Sequence, residues 1–403
     1  MESPNILLAR QPIYDSTLDV TAYELLFRPP AGWVWDGDVA TSQLVVNAFA
    51  EIGIEKATDN KRAFINFTRQ WLLSPPPFDP QLVVIEILES VEPDADVVRS
   101  VAQLKRSGYT IALDDFVFAP QWRPLLELAD IVKIDVLQHD DAALKTLTGQ
   151  LREYPLQLLA EKVETYSVFE HCKSLGFQMF QGYFLCRPQN IHGESIPSNK
   201  MVVMQLLAEV QDPDVDLGGL EKLISHDISL STKLLRICNS ARYATRTRID
   251  SIRKAMVMIG LQELKQWASI IALSRMTDKP NELITLTLTR ARMMELLAHS
   301  TAVNNRDIYF TVGMFSFIDA FFDQSKETIL RSLPFNEEVN RALLHYEGVP
   351  GKMLQAVAAH EQGHWDQINW QTLEAMGISQ DLFENAYIEA LQWAAAIMQS
   401  LLA

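Results

Sequence analysis

Cysteine is scarce. Three thiols, Cys172, Cys186 and Cys238, are scattered through 403 residues. They are too few and too far apart for a disulfide framework or a zinc-binding spacing, and they suit a chain kept in a reducing compartment. Long apolar runs are missing as well. No stretch of about 18 or more continuous apolar residues occurs, so no membrane-spanning helix is expected. The opening MESPNILLARQPIYD carries an acid at Glu2 and no apolar core, and does not read as a secretion signal. Positive charge is in short supply: 35 Lys and Arg face 51 Asp and Glu, a formal net charge of −16. Such a surface repels nucleic acid over most of its area. Neither a nucleic-acid nor a membrane partner is expected, and the expected location is cytoplasmic. A small anionic ligand stays open, because it needs only a few well-placed donors or metal ions.

What is present suits a soluble globular chain: 48% hydrophobic and 21% charged residues. At roughly 100–200 residues per domain, two domains are expected. The first 190 residues alternate between short apolar, β-forming runs and helical stretches. The runs are Ile6–Ile13, Ala22–Phe27, Ala63–Phe67, Leu82–Leu88, Tyr109–Leu113, Ile131–Val136, Leu156–Val163 and Phe177–Phe184. Between them Ser42–Ile52, Asp94–Ser107 and Tyr166–Leu175 read as helices, the last two stopped by Gly108 and Gly176. Eight strands alternating with helices predict a closed α/β barrel. After Pro188 the texture changes, and almost every segment from Met201 to Leu402 reads as helix, among them Leu217–Ser225, Ile252–Ile259, Leu261–Leu273 and Thr311–Phe322. Residues 1–190 are therefore assigned to the barrel, 191–195 to a connector rich in loop-forming residues, and 196–403 to an all-α domain.

Polar residues gather where barrel strands end: Glu24, Asn66, Glu86, Asp114 with Asp115, Lys133, Glu161 and Gln181. The strand ends of a parallel barrel converge on one face, which holds the site. Carboxylate and amide oxygens there suit hard divalent cations, Mg²⁺ or Mn²⁺, in the outline of a two-metal phosphodiester site.

The order of these elements resembles the EAL family of cyclic-di-GMP phosphodiesterases. The matching pieces are Gln11-Pro12-Ile13, Glu24-Leu25-Leu26 with Arg28, Phe64-Ile65-Asn66, Glu86-Ile87-Leu88-Glu89, Asp114-Asp115-Phe116, Lys133-Ile134-Asp135, Ala160 to Thr165, and Gln181-Gly182-Tyr183. The resemblance implies a modified TIM barrel whose first strand runs against the others. It implies that Glu24, Asn66, Glu86 and Asp114 hold one metal and that Asp114 and Asp115 reach a second. Glu161 would serve the attacking water as ligand or general base, and Lys133 would orient that water. Gln181 would help hold the site, Arg28 would contact a ligand phosphate, and Gln11 would lie in the guanine pocket. The implied reaction is hydrolysis of cyclic-di-GMP to linear pGpG.

Three departures from the family pattern stand out. Leu25 replaces an alanine. The loop after the aspartate pair, Val117 to Trp122, lacks both family glycines, so a segment that needs permissive backbone has been rebuilt. In the family that loop couples metal binding to dimerisation, which makes a homodimer a candidate assembly. Lys162 replaces a glycine beside Glu161 and brings a cation that could stand in for metal charge or obstruct the ligand.

The later half resembles the HDOD domain, a helical relative of HD phosphohydrolases, through His226-Asp227, Leu234-Leu235, Asn239-Ser240, Ser251-Ile252, Ala255, Ile259-Gly260 and Phe310 to Met314. The whole chain thus resembles the EAL-HDOD (YuxH-like) architecture. A hydrolytic HD site needs more His and Asp ligands than are visible, and Asp227 reads as a helix cap. His360-Glu361-Gln362-Gly363-His364 fits a zinc-protease pattern, but Gly363 weakens the helix and no histidine follows as third ligand. An unidentified protein partner of the HDOD domain is expected. Two functions stand: a metal-dependent phosphodiesterase with an output domain, or a catalytically silent cyclic-di-GMP receptor or scaffold with a degenerate EAL domain.

Overall fold

The computed structural model describes residues 7–28, 53–188, 198–239, 249–276, 278–301 and 306–402. The expected helix Ser42–Ile52, the connector 191–195 and Ser240 lie outside them. The chain divides into two units, Met1–Leu185 with His360–Trp365, and Cys186–Ala359 with Asp366–Ala403.

In the first unit eight strands close into a barrel in sequence order. They are β1 (Leu7–Asp15), β2 (Val20–Arg28), β3 (Arg62–Phe67), β4 (Val83–Ile87), β5 (Thr110–Leu113), β6 (Ile131–Asp135), β7 (Gln157–Glu161) and β8 (Met179–Gln181). β1 runs antiparallel to both neighbours, and the remaining pairs are parallel. The reversal has a local cause. Antiparallel strands need only a tight turn, and Asp15 Oδ1 builds one by accepting from the amides of Thr17 and Asp19 at 2.8 and 3.1 Å. Parallel pairs need crossovers, supplied in part by helices Ala95–Arg106, Asp141–Leu151 and Tyr166–Leu175. Asp94, Asp140 and Thr165 cap them through their side chains. The helix Asp141–Leu151 is absent from the sequence expectation, although Leu144, Leu147 and Leu151 mark its buried face.

Side-chain alternation sorts the barrel. Val83, Ile85, Ile87, Val132, Ile134, Leu158 and Ala160 join the large core shared with the helices. Ile13, Ala22, Phe64, Val84, Ala112, Ile131 and Leu159, with Met179 against them, form a separate apolar cluster inside. One inward step along each strand from that cluster lie Gln11, Glu24, Asn66, Glu86, Asp114, Lys133, Glu161 and Gln181. The step is two residues forward on the parallel strands and two residues back on the reversed β1. An apolar floor therefore carries a polar layer directly above it.

The second unit is helical throughout its described residues. The helix Asn281–His299 packs against Asp307–Phe315 and Gln380–Leu402. The indoles of Trp267 and Trp393 lie 5.8 Å apart, and the ring of Phe310 meets Trp393 edge-on at 6.3 Å. The expected helix Thr311–Phe322 is divided in two, Asp307–Phe315 and Ile318–Phe322. Ser316 bends its hydroxyl back to the Gly313 carbonyl at 2.7 Å, and Lys326 takes the Ser316 carbonyl at 2.6 Å.

Gly313 is where two helices touch. A Cβ there would stand 2.6 Å from Ala291 Cα and 2.9 Å from Ala291 N. Gly313→Ala is expected to cost about 3 kcal/mol, a melting drop of roughly 6–12 °C for a unit this size. A calorimetric scan unchanged from wild type would show that the crossing can open.

Candidate active site

The polar layer is centred on Lys133. From β6 its Nζ lies 3.3 Å from Glu24 Oε2, 2.6 Å from Glu86 Oε1, 2.8 Å from Asp114 Oδ1 and 2.9 Å from Glu161 Oε1. Glu86 and Lys133 are fully buried, and Glu24 nearly so. Gln181 Nε2 donates to Glu24 Oε2 at 2.7 Å and to Gln11 Oε1 at 2.9 Å, which ties β8, β2 and β1 together. Asn66 Nδ2 reaches Glu24 Oε1 at 3.4 Å. Of the residues singled out from sequence, Gln11, Glu24, Asn66, Glu86, Asp114, Lys133, Glu161 and Gln181 thus share one layer. Asp115 borders it. The Arg28 side chain lies outside the described residues.

The layer is overcharged. Glu24, Glu86, Asp114, Asp115 and Glu161 set five carboxylates against the single ammonium of Lys133, an excess of four negative charges if all are ionised. Burial raises Glu86 well above the usual carboxylate range, and Glu24 beside it adds to this despite Lys133. Burial also lifts Glu161 to about 8, against the pull of Lys133 and with help from Asp114 and Glu24. Asp115 is raised by burial and by Asp114. For Lys133, burial alone would favour the neutral amine, but Glu161, Glu24, Glu86 and Asp114 together hold the ammonium well above its ordinary range.

The donor set fits divalent metal ions. Every free donor is an oxygen, and Asn66 Oδ1, Glu86 Oε2, Asp115 Oδ1 and Glu161 Oε2 are buried without a hydrogen-bond partner. With all five carboxylates ionised, the surplus of four negative charges would equal the charge of two divalent cations, and hard oxygen ligands suit Mg²⁺ or Mn²⁺. Among the described residues, however, no group of three or more His, Cys, Asp and Glu side chains is gathered in the geometry of a metal centre. The carboxylates close on Lys133 instead.

The rebuilt loop keeps Asp114 turned inward. Its backbone amide extends the ladder by donating to the Ile87 carbonyl at 3.0 Å. Asp115 takes the left-handed conformation, φ 41°. Phe116 is buried and meets Phe118 and Trp122 edge-on, each at 6.3 Å. Aromatic packing thus accompanies the loss of glycine flexibility. Lys162 also has a positive φ, 55°, which is the physical reason a glycine suits that position. Its ammonium does not join the cluster around Lys133; it pairs with Asp135 Oδ2 at 2.5 Å. Asp135 was given no role from sequence. It lies two residues past Lys133, so strand alternation was the available signal, and it pairs in register with Glu161.

In the second unit Asp227 caps the helix Ile228–Cys238, accepting from the Leu230 amide at 2.9 Å, and its other oxygen holds Arg275 at 2.5 Å. The helix Gly348–Glu361 stops before Gly363, whose φ is 70°. His364 therefore lies off the helix that the zinc-protease pattern requires.

Comparison with known proteins agrees with this architecture. The EAL domain model matches residues 41–188 and the HDOD domain model residues 196–322. YuxH of Bacillus subtilis, itself described as uncharacterized, is 36% identical over 98% of this chain and 99% of its own. The chain belongs to the EAL-HDOD family. Another member, the cyclic di-GMP phosphodiesterase CdgJ of Vibrio cholerae, is 35% identical over 96% of this chain and 91% of its own. Among solved structures, BlrP1 of Klebsiella pneumoniae in a calcium and cyclic-di-GMP complex is 20% identical over 46% of this chain and 56% of that one, with a TM-score of 0.38. No helix among the described residues of this EAL-HDOD protein is long and apolar enough to cross a membrane.

Proposed function

We propose that this EAL-HDOD protein hydrolyses cyclic-di-GMP to pGpG. The observation that carries the proposal is the polar layer: eight inward side chains, one from each strand or its immediate end, above an apolar floor. The name of its relative CdgJ supports the same substrate. Glu24, Asn66, Glu86, Asp114 and Asp115 would hold Mg²⁺ or Mn²⁺. Bound there, the ions supply positive charge to the phosphoryl oxygens and make water more acidic.

The chain's own groups do the rest. Glu161, buried at the site with Oε2 free of a hydrogen-bond partner, would take a proton from the attacking water. Lys133 would orient that water. The water oxygen forms a bond to phosphorus as the bond to the ribose 3′-oxygen breaks. The 3′-oxygen gains a proton, and a linear 5′-phosphorylated product leaves. Gln181 holds Glu24 and Gln11 in place, Gln11 would face a guanine, and Arg28 a phosphate. Residues 1–190 would form the catalytic domain, joined by 191–195 to a protein-binding domain, 196–403. The test is purified protein with cyclic-di-GMP and Mg²⁺ or Mn²⁺, with pGpG separated by chromatography.

A second reading has its own observation. The carboxylates already close on Lys133, which suits a receptor or scaffold without turnover. Tight cyclic-di-GMP binding with no pGpG under either metal would favour it.

Lys162→Gly separates the expected roles of that lysine. Its ammonium is engaged by Asp135 and its backbone is left-handed, so glycine relieves strain as the ion pair is lost. Turnover is expected to stay within about twofold of wild type or to rise, since the lysine end of the pair is half-exposed and buried Asp135 keeps the Leu137 amide and Gln138 as donors. A drop of a hundredfold in initial rate would make Lys162 part of the machinery.

A further inference from the structure

We infer that Lys133 is a resident counter-cation for the acids of the barrel, so that Mg²⁺ or Mn²⁺ enters by exchange against its ammonium. The inference rests on the metal-dependent reading of the site and deepens it.

The geometry leads there in three steps. Lys133 Nζ contacts acids from four other segments of the barrel wall, Glu24, Glu86, Asp114 and Glu161, all within 3.3 Å. An ammonium has three protons, so it cannot give each of four carboxylates its own hydrogen bond. Fully buried Glu86 keeps Oε2 without a partner, as do Glu161 at Oε2 and Asp115 at Oδ1. One cation has therefore gathered the acids while leaving their charge and several oxygens unmet.

The acids converge on the ammonium, and no metal-like grouping exists among the described residues. For an ion to be bound, the carboxylates must turn from Nζ toward it. The tethered ammonium is always present at the site, whereas the ion arrives from solution. Lys133 therefore stabilises the ion-free fold and weakens ion affinity. The same flexible four-carbon stem lets its ammonium turn from the acids toward the attacking water once an ion carries the charge.

The experiment titrates the full-length protein with MgCl₂ alone, without nucleotide, by calorimetry and by thermal melting. Lys133→Met is expected to melt below wild type without ion. It is expected to bind Mg²⁺ at least about tenfold more tightly, because a unit charge a few ångströms from the ion is gone. Its melting temperature should rise more steeply with Mg²⁺ than that of wild type. Lys133→Gln, neutral but still a donor, should shift in the same direction. If either variant folds only when Mg²⁺ is present, the exchange is seen directly. An equal or weaker Mg²⁺ affinity in both variants, with wild type binding Mg²⁺, would overturn the inference and leave the metal-dependent reading standing. Variants that stay unfolded even in Mg²⁺ would overturn it too, because no divalent ion then replaces the ammonium. Wild type that binds neither Mg²⁺ nor Mn²⁺ would remove the metal-dependent reading itself.

Discussion

Replacing Glu24 with alanine is expected to abolish cyclic-di-GMP hydrolysis, by about a thousandfold or more, while the barrel stays folded. Glu24 touches more of the polar layer than any acid beside it. One oxygen meets Lys133 and Gln181, at 3.3 and 2.7 Å, and the other meets Asn66 at 3.4 Å. Its loss would remove a metal ligand and free Gln181 and Asn66 together, and charge stabilisation worth about 4 kcal/mol or more goes with it. The fold should tolerate the change because Glu24 is one of the charges that push Glu86 upward. Removing it relieves repulsion among buried carboxylates as it breaks contacts. Asp114→Asn should behave alike. Chromatographic detection of pGpG gives the rate and circular dichroism checks the fold; Glu24→Ala turning over like wild type would mean that the metal ligands are misassigned.

The second large effect lies in the helical unit. Asp323→Ala is expected to cost about 3–5 kcal/mol, as breaking a buried ion pair does, and to lower the melting temperature by roughly 6–20 °C. Asp323 accepts from Lys279 at 2.6 Å and from Lys200 at 2.8 Å, and both lysines are buried. Lys200 keeps Asp278 at 2.8 Å; Lys279 loses its hydrogen-bonded ion pair and keeps only the weaker pull of Asp278. Burial already lowers Lys279 even with Asp323 opposing, and the variant lowers it further. The folded variant then binds fewer protons than the unfolded chain, so its stability rises with pH. The deficit is full below the lowered value in the folded protein and fades as pH climbs to the ordinary lysine value of 10.5. Asp323→Ala combined with Lys279→Met should recover part of the loss. A melting curve unchanged from wild type, or one whose deficit grows with pH, would refute the account.

Local signals accounted for much of the fold. Tyr166–Leu175, Leu217–Ser225, Ile252–Ile259 and Leu261–Leu273 were legible to the residue, because capping residues and glycines sit at their ends. The helix Asp141–Leu151 was missed even though Asp140 caps it through the Ala143 amide; its apolar positions are few and interrupted by polar residues. The break between Phe315 and Ile318 was missed for a different reason. It lies at Ser316, whose carbonyl accepts from Lys326 ten residues further along the chain, and no local propensity encodes that contact.

The sequence by itself determined which residues face into the barrel. Alternation along a strand has a period of two, so a Val84 inside puts Glu86 inside, and Ile131 does the same for Lys133. That relation needs only neighbouring residues. The tertiary structure alone decided which of those groups meet. Glu24 and Lys133 are 109 residues apart in sequence, and Gln181 and Gln11 are 170 apart; their distances are set by barrel closure, which no local pattern contains. Closure made Lys133 the centre on which four acids converge. The positive φ of Lys162 and the nearby end of β6 sent that second lysine to Asp135. Two cations that look alike in the sequence thus differ because one strand carries Lys133 into the sealed interior, whereas the turn after β7 leaves Lys162 at the rim.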